Sequence, residues 1–208
     1  MNEYNTIMEN NTSTFVEKKS KFICNIFHVE NEEDAKTQIN KIRKEYYDAR
    51  HTVFAYIVLD DNNKIERFSD DGEPSGTAGK PLLEILKQKN IINVLVTVTR
   101  YFGGILLGTG GLIRAYSNTA LICLEQSKIC NMIKSDIINF EVNYDEIDKI
   151  KYYCDKNLYK IEKIQYEQNI ILDVVVNNTK TEEFIENIKK ILNRNADITM
   201  KNDIFVKK

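Results

Sequence analysis

Apolar residues recur along this chain at spacings of two and of about four, and the alternation between those spacings predicts its elements. Ile92, Val94, Val96 and Val98 fall on one face at period two, the mark of a strand with a buried side. The run HTVFAYIVL at 51–59 is apolar on both faces and predicts a central strand. Upstream, STFVEKKSKFICNIFHV predicts an early hairpin. Asn31 followed by Glu32, Glu33 and Asp34 predicts a capped helix start, whose inner stripe is Ala35, Ile39, Ile42 and Tyr46. Residues 78–89 predict a second helix. Leu112, Tyr116, Ala120 and Leu124 predict a third, running from just after GTGG to about Gln126 and lying on the sheet.

From about Ser135 the texture changes, because no glycine or proline follows and polar residues separate clean periodic segments. Strand IINFEVNY, a helix with Ile147, Ile150, Cys154 and Leu158 in phase, strands KIEKIQYEQ and IILDVVV, a helix with Phe184, Ile188 and Ile191, and strand ADITMKNDIFV follow in turn. That βαββαβ order predicts a ferredoxin-like sandwich. The expected organisation is a domain at 1–134 holding the glycine-rich loops and a ferredoxin-like domain at 135–208. The fold class is α+β, two α/β sandwiches of two layers each.

Composition narrows the chemistry. The chain has 208 residues, 42% hydrophobic and with a formal charge of only −2, so it supports packed cores and is neither a disordered tail nor a strongly basic nucleic-acid binder. Any polyanion site is therefore a local patch. MNEYNTIMENNTSTF lacks the features of a secretory leader and IINVLVTV is too short to span a bilayer, so the expectation is a soluble cytoplasmic protein with no membrane partner. Cys24, Cys123, Cys130 and Cys154 match neither a zinc knuckle nor a disulfide framework and are expected to be reduced and mostly buried.

All eight glycines and both prolines lie between 72 and 111, which concentrates special backbone geometry in FSDDGEPSGTAGKP and RYFGGILLGTGG. Neither is a standard nucleotide loop. Pro74 and Pro81 occupy Walker A positions that require glycine and a hydroxyl, and Ile113 occupies the third glycine position of a dinucleotide fingerprint. Glu73 and Thr77 defeat a nucleophile elbow at Ser75, and His28 and His51 are the chain's two histidines. Each glycine loop nevertheless precedes a helix, whose free amides and positive dipole end suit an anion.

Three pairs of alternatives stand. Asp70, Asp71 and Glu73 can hold a magnesium or calcium ion, or can cap turns around Gly72. Arg67, Lys80, Arg100 and Arg114 can receive RNA phosphates, or can pair with those acids and lock the loops together. Tyr101 and Phe102 can stack on an unpaired base, or can belong to the core at a strand end.

FSDDGEPSGTAGKPLLEIL and VTRYFGGILLGTGGLIRAYSNTA, with HTVFAY at 51–56, closely resemble the IMPACT family, including its bacterial YigZ-type members. The similarity spans the chain and is strongest over about 50–120. The resemblance implies an N-terminal domain like the second domain of a small-subunit ribosomal protein and domain IV of elongation factor G, followed by a domain like domain V of that factor. Eukaryotic relatives regulate translation by restraining an amino-acid-starvation kinase, a stress response, but carry a different partner domain. For bacterial members the family suggests RNA or ribosome binding, with a protein partner in translation control as a further possibility, no cofactor and no catalytic residue. The phosphate-contacting set expected from the two loops and the basic residues around them is Arg67, Thr77, Gly79, Lys80, Arg100, Gly108, Gly110, Gly111 and Arg114. Asp70, Asp71, Gly72, Glu73, Pro74, Gly76, Tyr101, Phe102, Gly103 and Gly104 frame it. Two other functions stay open: a metal- and phosphate-binding enzyme using Asp70, Asp71 and Glu73, and a protein-interaction module.

Overall fold

The computed structural model describes residues 1–60, 63–194 and 197–207 and divides into two units, Tyr4–Asn131 and Met132–Lys208, the latter joined by Met1–Glu3. In chain order the first part carries β1 (Glu3–Ile7), β2 (Asn11–Glu17), β3 (Ser20–His28), α1 (Glu32–Glu45), β4 (His51–Asp60), β5 (Asn63–Ser69), α2 (Gly79–Gln88), β6 (Val94–Tyr101) and α3 (Gly108–Glu125). The second carries β7 (Ile129–Val142), α4 (Ile147–Lys156), β8 (Lys160–Tyr166), β9 (Ile170–Asn177), α5 (Thr181–Leu192) and β10 (Ile198–Lys207). Both units are α+β.

The N-terminal sheet has the order β2-β3-β6-β4-β5, antiparallel throughout, so the two most apolar strands, β4 and β6, sit inside it. The hairpin between β2 and β3 turns on Lys18 and Lys19, both with positive φ. Such a two-residue turn matches the strand twist and usually recruits asparagine or glycine. Asn31 caps α1 as expected, its side-chain oxygen accepting from the Asp34 N–H at 2.8 Å. Ala35 and Ile39 of α1 pack with Tyr56, Val58 and Leu95 on one sheet face. Residues at the other parity, Phe22, Cys24, Ile26, Val53, Ala55, Val96 and Val98 among them, are buried as well, and α2 and α3 contact the strands that carry them. The expected pair of layers is thus supplemented by α1 on the second face.

The C-terminal sheet has the order β8-β9-β7-β10, antiparallel. With helices after its first and third strands, this is the ferredoxin-like arrangement read from the sequence. Phe140, Leu172 and Val174 of the sheet enclose a core with Ile150 and Cys154 of α4 and Phe184 and Ile188 of α5. Leu158 departs from its expected place on the α4 face. The helix ends at Lys156, and Leu158 follows with φ 58° and 93% exposure. Ala196, the first residue of the expected last strand, lies outside the described residues. Among the described residues no helix is long and apolar enough to cross a membrane.

Candidate functional site

The strap at 68–81 is organised around Asp70. One carboxylate oxygen accepts from the Ala78 and Gly79 amides at 3.0 and 2.8 Å, and the other accepts from Gly76 at 2.8 Å. A side-chain anion therefore occupies the start of α2, where the dipole and the free amides favour negative charge. The phosphate site expected there, with Gly79 and Thr77, is corrected by this geometry. Thr77 is buried, with its hydroxyl and its amide both donating to the Pro74 carbonyl. Gly79 is required for packing, since a Cβ built on it lies 2.5 Å from the Ser69 carbonyl oxygen.

Asp71 has separate partners. Its carboxylate accepts from Arg43 at 2.9 Å and from the Thr52 amide at 2.7 Å, while its carbonyl lies 2.7 Å from His51 Nδ1. A carbonyl can only accept, so His51 carries a proton on Nδ1 and leaves Nε2 without one in the neutral ring.

Glu73 turns inward. Its Oε1 accepts from Arg100 at 2.7 Å and from the Tyr116 hydroxyl at 2.8 Å, and all three residues are buried. Burial first, and then the Glu73 charge, push the Tyr116 hydroxyl far above its ordinary value, so it stays a donor. Arg100 also reaches Ser20 at 3.4 Å and lies between the Phe22 and Phe102 rings, 5.5 Å from each centroid. The reason for its burial is register. Arg100 continues the inward face of Val94, Val96 and Val98 and sits opposite Phe22 on β3 and His51 on β4. The sequence leads one to expect Arg100 as an exposed phosphate ligand; its guanidinium is instead buried, with two of its three nitrogens hydrogen-bonded inside the protein.

These three carboxylates do not converge. Among the described residues no group of three acids, histidines or cysteines is placed to hold a metal ion. The expected metal set Asp70, Asp71 and Glu73 instead joins a helix cap, a strand start and a buried ion pair.

The second motif leaves the sheet at Tyr101, whose hydroxyl donates to Asp48 at 2.7 Å; that bond is the main cause pushing it up to about 12. Gly103 follows against the β2–β3 turn, so close that a built Cβ meets the Lys19 backbone at 2.0 Å. Gly72, Gly76 and Gly104 take positive φ in the turns. Phe102, Ile105 and Leu106 are exposed, Leu106 to 83%, which places Phe102 outside the core. The helix then begins at Gly108, earlier than the apolar stripe predicts, so that GTGG forms its first turn. That turn has no acidic residue and no capping side chain.

A cavity of about 420 Å³ opens here, lined by Arg50, His51, Glu73, Arg100, by Phe102, Leu106 and Leu107 of the loop, and by the start of α3. Arg114 and Gly111 line a neighbouring recess with Glu17 and Lys18, and Gly110 is exposed. Lys80 is exposed on α2, and Arg67 on β5 is drawn toward Glu32 at 3.9 Å. Arg50, Lys80 and Arg114, and Lys18 and Lys19 of the β2–β3 turn, are exposed with no carboxylate partner among the described residues; relative to the expected set, Arg50, Lys18 and Lys19 are gained and Arg67 and Arg100 lost. Arg50, His51, Leu106, Leu107 and Thr109 are cavity residues outside the expected site set. Strand register was the available signal, since His51 at the head of β4 falls beside the end of β6.

A two-unit α+β protein with a ferredoxin-like second unit and paired DDGEPSGTAGKP and RYFGG–GTGG loops defines a recognisable class. The Impact N-terminal domain matches residues 18–124, and a domain of unknown function, DUF1949, matches 140–193. The chain belongs to the IMPACT family. It is similar to the IMPACT family member YvyE of Bacillus subtilis, at 35% identity over 95% of this chain and 91% of that one, and to YigZ of Escherichia coli, at 35% identity over 80% and 82%. A crystal structure described as that of a hypothetical protein shares 31% identity, covers 95% of this chain and 97% of its own, and superposes with a TM-score of 0.63.

Proposed function

We propose that this protein is a translation-associated regulator whose N-terminal unit binds RNA, free or on the ribosome, through the surface around the start of α3. The observation that carries this reading is the unspent charge there. Internal pairing consumes Asp70, Asp71, Glu73 and Arg100, yet Arg50 and Arg114 remain exposed and unpaired among the described residues. The α3 amides add a positive end, and exposed Phe102 offers a face on which a base can stack. Membership of the IMPACT family supports the link to translation.

Co-sedimentation with ribosomes and with a single-stranded RNA across a salt series tests this reading. Affinity is expected to fall steeply with salt, and Arg50→Ala and Arg114→Ala each to flatten the logarithmic slope by roughly 0.7–0.9. Binding that is absent at low salt, or indifferent to salt, overturns the proposal. Ile105 and Leu106, exposed on the same loop, favour a second reading as a protein-docking surface. Capture that survives nuclease digestion and is lost in Leu106→Asp identifies that case.

A further inference from the structure

We propose that the cavity between the β4 and β6 ends and the start of α3 is a phosphomonoester site, sized for one nucleoside 5′-monophosphate. Two independent features point there. The α3 start is an open anion site, with Gly108, Thr109 and Gly110 in its first turn and neither a cap nor an acid to occupy it. The corresponding start of α2 is filled by Asp70, so the vacancy at α3 is not a general property of this fold's helices. Arg100 lines the cavity with its side chain 8% exposed, and its Nε is buried with no hydrogen-bond partner among the described residues. An unmatched buried donor costs about 1–3 kcal/mol unless a ligand or water meets it. Phe102, 45% exposed, lies over the same guanidinium, so displacing that ring uncovers the donor.

Charge fixes the class of ligand. Glu73 neutralises Arg100 through their ion pair, leaving Arg50 and the helix end to face the anion. Pro74, Phe102, Leu106 and Leu112 supply apolar walls, which suit a flat ring carried on the phosphate. A volume of about 420 Å³ accommodates one nucleotide rather than a length of strand. The phosphate would be held by the α3 amides, Arg50 and the Arg100 Nε–H, and the ring by Phe102 turned aside from the guanidinium. Such a unit can be a free nucleotide or the 5′ end of an RNA. The inference extends the RNA reading without depending on it, because a free nucleotide needs no RNA surface.

Calorimetric titration of the full chain with adenosine 5′-monophosphate, uridine 5′-monophosphate, adenosine and inorganic phosphate tests the proposal. Saturable binding is expected for the monophosphates and not for adenosine. Thr109→Asp places a carboxylate in the exposed first turn of α3, so it should abolish binding while leaving the melting temperature unchanged or raised. Arg50→Ala should weaken binding about tenfold, the effect of one charge-assisted hydrogen bond. Competition by a 5′-phosphorylated but not a 5′-hydroxyl RNA assigns the site to RNA ends, and competition by neither assigns it to the free nucleotide. The proposal is overturned if the monophosphates and the 5′-phosphorylated RNA all fail to bind, if adenosine binds as well as its phosphate, if both RNAs compete equally, or if Thr109→Asp binds like the wild type. Loss of ribosome and RNA sedimentation with nucleotide binding intact would remove only the RNA reading.

Discussion

Replacing Arg100 with alanine separates a structural arginine from a ligand-binding one. In the folded protein its guanidinium donates to Glu73 at 2.7 Å, with the two side chains 8% and 4% exposed, and it lies between Phe22 and Phe102. Arg100→Ala leaves the Glu73 carboxylate buried with the Tyr116 hydroxyl as its remaining hydrogen-bond donor among the described residues, and removes the packing between two rings. Breaking a buried pair on one side costs about 3–5 kcal/mol, because the surviving charge is uncompensated. For a unit of this size that corresponds to a melting temperature lowered by roughly 10–20 °C. Thermal unfolding followed by far-ultraviolet circular dichroism suits the measurement, since the chain has no tryptophan to report by fluorescence. Arg100→Met combined with Glu73→Gln removes both charges, so it should lose much less than Arg100→Ala alone. An Arg100→Ala protein within about 1 kcal/mol of wild type would refute the reasoning and return Arg100 to the pool of free phosphate ligands.

Asp70→Ala strips the α2 start of the carboxylate that receives three amides, and a loss of about 2–3 kcal/mol by chemical denaturation is expected from a charged cap with these contacts; an unchanged midpoint would show the strap is held by other means. Tyr56 donates to Glu32 at 2.8 Å, and that bond is the main cause holding the Glu32 carboxyl below its ordinary value of 4.5. A depressed acid adds stability that is full above the unfolded value and is lost as pH falls through the folded one. The melting-temperature advantage of wild type over Tyr56→Phe should therefore be constant near neutrality and shrink below about pH 4.5. An advantage that grows on acidification would contradict the assignment.

Much of the fold is written in local pattern. Asn31 with three acids after it is a cap that needs no tertiary partner, and the inner face of Val94, Val96 and Val98 follows from alternation alone. Leu158 shows where pattern fails: it keeps the phase of α4, but Asn157 ends the helix one residue earlier. GTGG shows the opposite error, because glycines without side chains leave no apolar stripe to mark a first turn that the backbone nevertheless forms. At the site, the motif residues were legible as a set but their partners were not. Which acid meets which arginine depends on how distant segments are brought together, 27 residues apart for Glu73 and Arg100 and 28 for Asp71 and Arg43. Extending the period-two face by one step would have placed Arg100 indoors, and Arg50 and Thr109 acquire meaning only once the cavity around them exists.

The central claim is that Asp70 of the first motif satisfies the start of α2 while the start of α3 is left open to an anion. Amide chemical shifts during titration with adenosine 5′-monophosphate test it most directly. The account predicts saturable shifts at Gly108, Thr109 and Gly110, with Ala78 and Gly79 unmoved. Shifts centred on Ala78 and Gly79, or none at the α3 start at saturating nucleotide, would contradict it.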